Sequence, residues 1–139
     1  DDMGSRGSYW KTARFASFTE GDLLWKTVGE IDGVKIIRRP DKPNGSLPEF
    51  AKTSEAYIGV SSEGDLDSLR VYEKGFPVCE FNLGHYWHHG LPEGAVHVHS
   101  FTKGTDGNPV RSQEGKTPTA EQWEKWGGII MKMKERNRK

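Results

Sequence analysis

The stretch FPVCEFNLGHYWHHGLPEGAVHVHSFT, residues 76–102, decides the fold of this chain and contains all five of its histidines. Two of its segments, 76–89 and 95–102, are rich in β-branched and aromatic residues, and the segment between them, GLPEG, has the composition of a turn. This pattern predicts a β-hairpin. We therefore expect the two segments to pair as neighbouring antiparallel strands.

Further strand-like segments precede the hairpin. EAYIGVS and LDSLRVYE are separated from each other and from the hairpin by SEGD and KG, which are typical turn sequences. An Asp-Gly pair at 32–33, between β-branched residues, predicts another hairpin with a strand near residues 34–39. The sequence thus predicts an α+β fold with an antiparallel meander sheet of about four to five strands.

A C-terminal helix is predicted over residues 119–136, where Thr119 is a suitable N-cap and Gln122 completes a capping box. Gly127-Gly128 interrupts this helix and predicts a kink or a break. Four apolar side chains fall on one stripe at helical spacing: Trp123, Trp126, Ile130 and Met133. We expect this stripe to pack on one face of the sheet.

The chain has the length of one domain, which we place at residues 9–139 after an expression remnant or flexible end at residues 1–8. Thr19, as an N-cap, and Gly29, at the C-terminal end, delimit a short N-terminal helix. Residues 103–118 are polar and rich in Gly and Pro, which predicts a mobile loop.

Composition excludes several classes of protein. Twenty basic residues balance twenty acidic ones, which argues against the broad positive field of a nonspecific nucleic-acid-coating protein. The single cysteine, Cys79, makes no internal disulfide and is expected to be a small buried apolar residue. No apolar segment reaches the roughly 18 residues of a membrane helix. We expect no membrane contact and a cytoplasmic site of action, either directly or after delivery as part of a larger secreted protein.

The histidines predict a shared site only in one strand register. Because side chains alternate along a strand, His97 and His99 share a face, and His88 points away from its neighbours. A five-residue GLPEG loop places three pairs opposite one another: His89 with Ala95, Trp87 with His97, and His85 with His99. Four imidazoles then line one surface, half shielded at the rim of the core, on the face of the strand that carries Cys79, Phe81 and Leu83.

One interpretation of this cluster is acid and base catalysis without a metal cofactor. His97 and His99, with His85 or His89, provide imidazoles that take and give protons near neutral pH. Cleavage of RNA suits such a pair, since one ring deprotonates the 2′-hydroxyl and the other protonates the leaving 5′-oxygen. Two cations in the following segment are placed to hold the phosphate, and aromatic side chains can stack on a base. These substrate-binding candidates are Arg111, Lys103, Tyr86, Trp87 and Phe101.

Two other interpretations stay open. His85, His89, His97 and His99 form an all-nitrogen ligand set suited to zinc or another first-row divalent metal, which favours a metal-binding hydrolase or binding module. Alternatively the histidines are ordinary sheet residues of a noncatalytic phage or assembly domain.

The order of these motifs resembles histidine-rich C-terminal domains of bacterial polymorphic toxins and of phage-like mobile-element proteins. The resemblance spans about residues 63–126 and has four parts: Arg70-Val71-Tyr72 in one strand, Glu80 in the next, His85, His88 and His89 in the turn, and His97, His99 and Phe101 after it. Many toxin domains of this size resemble small endoribonucleases built from a helix or two on an antiparallel sheet, so by analogy the resemblance favours RNA as the substrate and an immunity protein as the partner. The sequence leaves the oligomeric state open.

Overall fold

A computed structural model describes residues 25–40, 47–83 and 95–138 of the 139-residue chain. The fold of these residues is α+β, as predicted, but the sheet has seven strands, so the expected four to five is too few. The elements are β1 (Lys26–Ile31), β2 (Val34–Arg38), β3 (Ala56–Val60), β4 (Leu66–Glu73), β5 (Phe76–Leu83), β6 (Val96–Lys103), β7 (Pro109–Arg111) and α1 (Ala120–Asn137).

The strands lie in the sheet in chain order, from β1 to β7. Neighbouring strands are antiparallel except β2 and β3, which are parallel. A parallel pair needs a connection of about a dozen residues or more, and the chain between Arg38 and Ala56 has that length. The predicted purely antiparallel meander is therefore wrong at this one pair.

Two tight turns determine the registers of the strand pairs that they connect, β1 with β2 and β4 with β5. Asp32 and Gly33 have φ values of 50° and 85°, and Lys74 and Gly75 have 52° and 87°. Positive φ at both central residues is typical of the two-residue turn whose twist matches that of paired strands. The hairpin predicted from Asp-Gly is confirmed, with Ile31 opposite Val34.

Two strands lie where the sequence predicted other structures. Residues 26–29 belong to β1, which contradicts the predicted helix over this part, while residues 19–24 lie outside the described residues. β7 lies within 103–118, the segment predicted to be a loop. It pairs with β6, and Val98 also bridges to Lys116, so this segment supplies hydrogen-bond partners to what would otherwise be an open sheet edge.

The main apolar core lies between α1 and one face of the sheet. Trp126, Ile130 and Met133 of the helix pack there with buried strand residues such as Leu69 and Phe81. The predicted stripe is wrong for Trp123, which is 40% exposed. The capping box is confirmed, since the Thr119 side chain accepts from the Gln122 backbone and the Gln122 side chain accepts from the Thr119 backbone.

The opposite face of the sheet carries a smaller apolar cluster. Its members come from β2, β3, β4 and the chain around them: Trp25, Ile37, Leu47, Ala51, Tyr57 and Tyr72. The helix end is tied to the sheet separately, because the Asn137 side chain accepts a hydrogen bond from the Leu66 backbone and donates one to it. Within the described ranges, no helix combines the length and the apolar character needed to cross a membrane.

The helix α1 runs without interruption through Gly127 and Gly128, so the predicted break is wrong. Gly127 is buried, and a Cβ atom there would lie 2.8 Å from the Trp123 indole. A Cβ atom at Gly128 would meet nothing within 4 Å. The two glycines therefore differ in what they do: Gly127 makes room for an indole, whereas Gly128 only lowers the helix propensity.

We predict that Gly128→Ala stabilises the protein by about 0.4–1 kcal/mol, because alanine loses less backbone freedom on folding and fits the open position. Gly127→Ala should give a smaller gain or a loss, since the Trp123 indole must move. Chemical denaturation of both variants measures the difference. Equal stabilisation by the two substitutions would contradict the close packing of Trp123 on Gly127.

Candidate functional site

Polar side chains form two rows across the face of the sheet that lies opposite α1. In the first row Ser68 is opposite Asn82, which is opposite His97. In the second row Arg70 is opposite Glu80, which is opposite His99. All of these except Asn82 are buried. Since residues at every second position share a face, the alternation of β4, β5 and β6 brings these side chains together.

The observed register differs from the predicted one. Glu80 lies opposite His99 and Asn82 opposite His97, where His85 and Trp87 were expected. Leu83 and Val96 are the last described pair, so residues 84–95 separate the two strands, a connection longer than the predicted five-residue loop. His97 and His99 therefore lie on the face opposite to that of Cys79, Phe81 and Leu83, because a slip of odd length exchanges the faces.

Several predicted site residues lie outside the described residues. These are His85, Tyr86, Trp87, His88 and His89. The proximity of His85 and His89 to the other two histidines stays a prediction.

His97 and His99 are buried, with 4% and 1% of their surfaces exposed, which contradicts the predicted half-shielded rim. Their ring centroids are 5.2 Å apart in an edge-to-face arrangement. His99 Nδ1 lies 2.8 Å from the carbonyl oxygen of Ser112. Because a carbonyl only accepts, this contact places a proton on Nδ1, so that in the neutral ring the lone pair lies on Nε2.

The chain after β7 packs closely against His97. A Cβ atom at Gly115 would lie 2.5 Å from His97 Cδ2, so only glycine allows this approach. Gly115 is itself buried, and its neighbour Lys116 bridges to Val98. One edge of the histidine pair is thus covered by residues 112–116.

A buried ion pair occupies the centre of the polar face. Arg70 Nε donates to Glu80 Oε1 at 2.7 Å, and Arg70 Nη2 lies 2.7 Å from the same oxygen. Arg70 Nη1 donates to the carbonyl oxygens of Leu47 and Pro48, both at 3.2 Å. The Arg70 guanidinium also lies over the Phe101 ring, 4.9 Å from its centroid. Arg70 therefore has a structural function, and the Phe101 ring proposed for base stacking packs on it.

Glu80 is ionised at neutral pH. Burial acts to raise the pKa of this carboxyl, but the positive charges of Arg70 and Arg111, together with hydrogen bonds from Arg70 and Asn82, outweigh burial and hold the pKa below its ordinary value. The Asn82 amide donates to Glu80 Oε2 at 3.1 Å. Both carboxylate oxygens are thus occupied by donors.

Arg111 joins this network from β7. Its Nη2 donates to Asn82 Oδ1 at 2.7 Å and lies 3.4 Å from Glu80 Oε2, while 41% of its side chain stays exposed. These contacts orient a guanidinium that solvent can still reach. Of the two predicted phosphate-binding cations, Arg111 is at the polar face, whereas Lys103 is exposed at the end of β6.

A cleft of about 240 Å³ opens on this face, and we call it the arginine cleft. Among the described residues, its charged lining comprises four arginines and two carboxylates, so these lining residues carry a net positive charge although the chain is neutral overall. Lys103, His97 and His99 are not among its lining residues. The charged and polar side chains that line it are Arg38, Arg39, Ser61, Asp67, Ser68, Arg70, Glu80, Asn82 and Arg111.

Such a cleft can bind an anion. Arginine presents a planar set of donors that fits phosphate oxygens, and Arg111 is held in place by two neighbours. Among the described residues there is no group of three His, Cys, Asp or Glu side chains that could hold a metal ion. The four-histidine ligand set includes two residues outside this range.

Sequence reasoning did not place Arg70, Glu80 and Asn82 in the site. The signal was present, because polar or charged residues alternate with apolar ones in both LDSLRVYE and VCEFNL. Pairing these strands through the short KG turn aligns the polar positions on one face.

Cys79 lies on the apolar face, as its predicted buried apolar character requires. Burial, with the nearby charges of Glu80 and Glu73, raises the pKa of its thiol to about 11. The thiol is therefore protonated and a weak nucleophile at neutral pH.

Comparison of the chain with known proteins found no matching family model, no matching curated protein and no matching solved structure.

We predict that Glu80→Gln destabilises the protein at pH 7 by about 3–5 kcal/mol, since it leaves the buried Arg70 charge without its counter-ion. The lowered pKa also makes stability depend on pH. The contribution of Glu80 is complete above its unfolded pKa of about 4.3 and is lost as the pH falls through the lower folded value.

Urea denaturation of both proteins between pH 3 and 7 measures this effect. The wild type should lose more stability than the variant below about pH 4.3. Equal slopes for the two proteins would contradict a lowered pKa at Glu80.

Proposed function

We propose that this chain is a small endoribonuclease that works without a metal cofactor and binds the phosphodiester backbone of RNA in the arginine cleft. The observation that carries the proposal is Arg111, a half-exposed guanidinium held by Asn82 and Glu80 at the mouth of a positively lined cleft. Both described histidines share the sheet face on which that cleft opens.

The chemistry needs three functions. A base takes the proton of the 2′-hydroxyl, an acid protonates the leaving 5′-oxygen, and a cation stabilises the charge that develops on the phosphate. Arg111 supplies the cation. His97 and His99 supply the proton transfers, with His99 acting through Nε2 because its Nδ1 donates to the Ser112 carbonyl oxygen. His85 and His89 are further proton-transfer candidates.

The buried polar groups at the centre of the sheet also support a functional site on this face, beside the structural function of Arg70. A buried ion pair contributes little net stability compared with apolar residues of similar volume, and such groups occur frequently at functional sites. Here Glu80, which is paired with Arg70, lies opposite His99 in the neighbouring strand and contacts Arg111.

The burial of both imidazoles adds a requirement. Since His97 and His99 are 4% and 1% exposed, RNA contacts them only if the chain that covers them moves when substrate binds. Binding of phosphate at Arg111 needs no such movement, so binding and cleavage can be separated experimentally.

The resemblance to toxin domains provides the biological context of this proposal. As a toxin module of a larger protein, the domain would act on cytoplasmic RNA, and an immunity protein would bind it. The zinc-type hydrolase remains the alternative that the cleavage experiment excludes or supports.

We predict that the purified protein cleaves single-stranded RNA in the presence of EDTA and that His97→Ala or His99→Ala lowers kcat by about 10²–10⁴-fold, as expected for loss of a general acid or base. Arg111→Ala should lower kcat by about 10²-fold through loss of charge stabilisation. Circular dichroism of each variant checks that it is folded.

Lys125→Ala is the control, because it removes one exposed positive charge from α1, on the other side of the sheet from the arginine cleft, and it should cleave as the wild type does. Full activity in both histidine variants would refute the acid–base proposal. Activity that EDTA abolishes and zinc restores would support the metal-dependent alternative instead. RNA binding without cleavage by the wild type would leave only the binding part of the proposal standing.

A further inference from the structure

A second pair of cations lines the arginine cleft on another strand. Arg38 is the last residue of β2, and Arg39 follows it directly. The Arg39 guanidinium lies over the Trp25 ring, 5.3 Å from its centroid, and Trp25 is 3% exposed. The buried indole restricts the orientation of the guanidinium, so Arg39 would lose less conformational freedom on binding an anion.

The strands between these arginines and Arg111 provide a floor of small residues. Gly59 lies opposite both Ile37 of β2 and Ser68 of β4, and Ser68 lies opposite Asn82, the partner of Arg111. The Arg111 guanidinium reaches Asn82 on β5. Three strand spacings, about 14 Å, separate β5 from β2, the strand that ends at Arg38. A Cβ atom at Gly59 would lie 2.5 Å from Ser68 Oγ, so this row has no room for a larger side chain.

The charged side chains of the arginine cleft are also distributed over its two sides. Arg70 and Glu80 neutralise each other within their ion pair. Among the described lining residues, Asp67 is then the remaining carboxylate, against Arg38, Arg39 and Arg111. The remaining positive charge therefore lies toward two sides of the cleft, with the small residues between them.

We propose that Arg38 and Arg39 form a second phosphate-binding subsite, so that the ligand is a single-stranded RNA segment with one phosphate at Arg111 and another at Arg38 and Arg39. This inference rests on the proposed function. Two phosphates about 14 Å apart belong to nucleotides several positions apart, because a stacked nucleic-acid strand rises by about 3.4 Å per nucleotide. This spacing favours an oligonucleotide over a mononucleotide.

The experiment compares two ligands. A fluorescent tetranucleotide of 2′-O-methyl uridylate resists cleavage because its 2′-oxygens are blocked, and uridine 3′-monophosphate carries a single phosphate. Anisotropy measures tetranucleotide affinity across a salt series, and competition measures that of the monophosphate. The proteins are the wild type, Arg38→Ala/Arg39→Ala, Arg38→Ala alone in case loss of the Trp25 stack impairs folding, and Arg111→Ala. The double variant Lys125→Ala/Lys132→Ala is the charge-matched control, since both lysines lie on α1.

For the tetranucleotide, the slope of log affinity against log salt concentration should fall by about 0.7 for each phosphate contact that is lost. We expect this loss in Arg38→Ala/Arg39→Ala and in Arg38→Ala, with monophosphate affinity unchanged. We expect Arg111→Ala to weaken both ligands and the lysine variant to change neither.

The second subsite is refuted if the tetranucleotide slope stays unchanged in both Arg38 variants, if these variants weaken the two ligands equally, or if the lysine control lowers the slope as much. If Arg111→Ala still lowers kcat for RNA cleavage by about 10²-fold in any of those cases, the proposed function survives and only the subsite is wrong. A wild-type protein that neither binds the tetranucleotide nor cleaves RNA would refute both.

Discussion

The buried pair of Arg70 and Glu80 is the constraint on which the rest of the polar face depends. Its two charges lie in the middle of a sheet, where each alone would be costly, so each requires partners. Arg70 finds them in Glu80 and in the carbonyl oxygens of Leu47 and Pro48, which attaches the chain preceding β3 to β4. Glu80 finds them in Arg70, Asn82 and Arg111, which attaches β7 to β5. One ion pair thereby connects a crossover, two central strands and the sheet edge.

The two faces of the sheet differ in chemistry, and the Arg70–Glu80 pair lies on the polar one. The face under α1 is apolar throughout its buried cluster, with Leu69, Phe81 and Val98 in register from β4 to β6. On the other face, the positions one residue away are Arg70, Glu80 and His99. Stability comes mainly from the first face, because burial of apolar area is the dominant favourable contribution to folding. The second face is available for chemistry, and the cleft opens there.

Local signals predicted much of this fold. Turns such as Asp32-Gly33 and the capping box at Thr119 depend on neighbouring residues, and the sequence shows them directly. The register of β5 and β6 does not depend on such a signal: it depends on how long the connection between Leu83 and Val96 is, and GLPEG suggested a shorter one. The parallel pairing of β2 with β3 is equally nonlocal. Because an odd shift exchanges the faces of a strand, one error in connection length moved His97 and His99 to the wrong side.

The strand that carries Arg111 is the shortest in the sheet that the structure describes, with three residues, Pro109–Arg111, paired to β6 on one side. Detaching so short a ladder disrupts few backbone hydrogen bonds, and elements with few contacts occupy the low-free-energy end of local opening. Here that element carries Arg111, the guanidinium that we propose as the anion-binding group, and is followed by residues that contact or cover the imidazoles, Ser112 and Gly115. Because Arg111 and the residues that cover the rings belong to one continuous segment, a ligand at the guanidinium and the opening of that segment are thermodynamically coupled. A ligand that favours the open edge would expose the rings by the same free energy with which it binds that form more tightly.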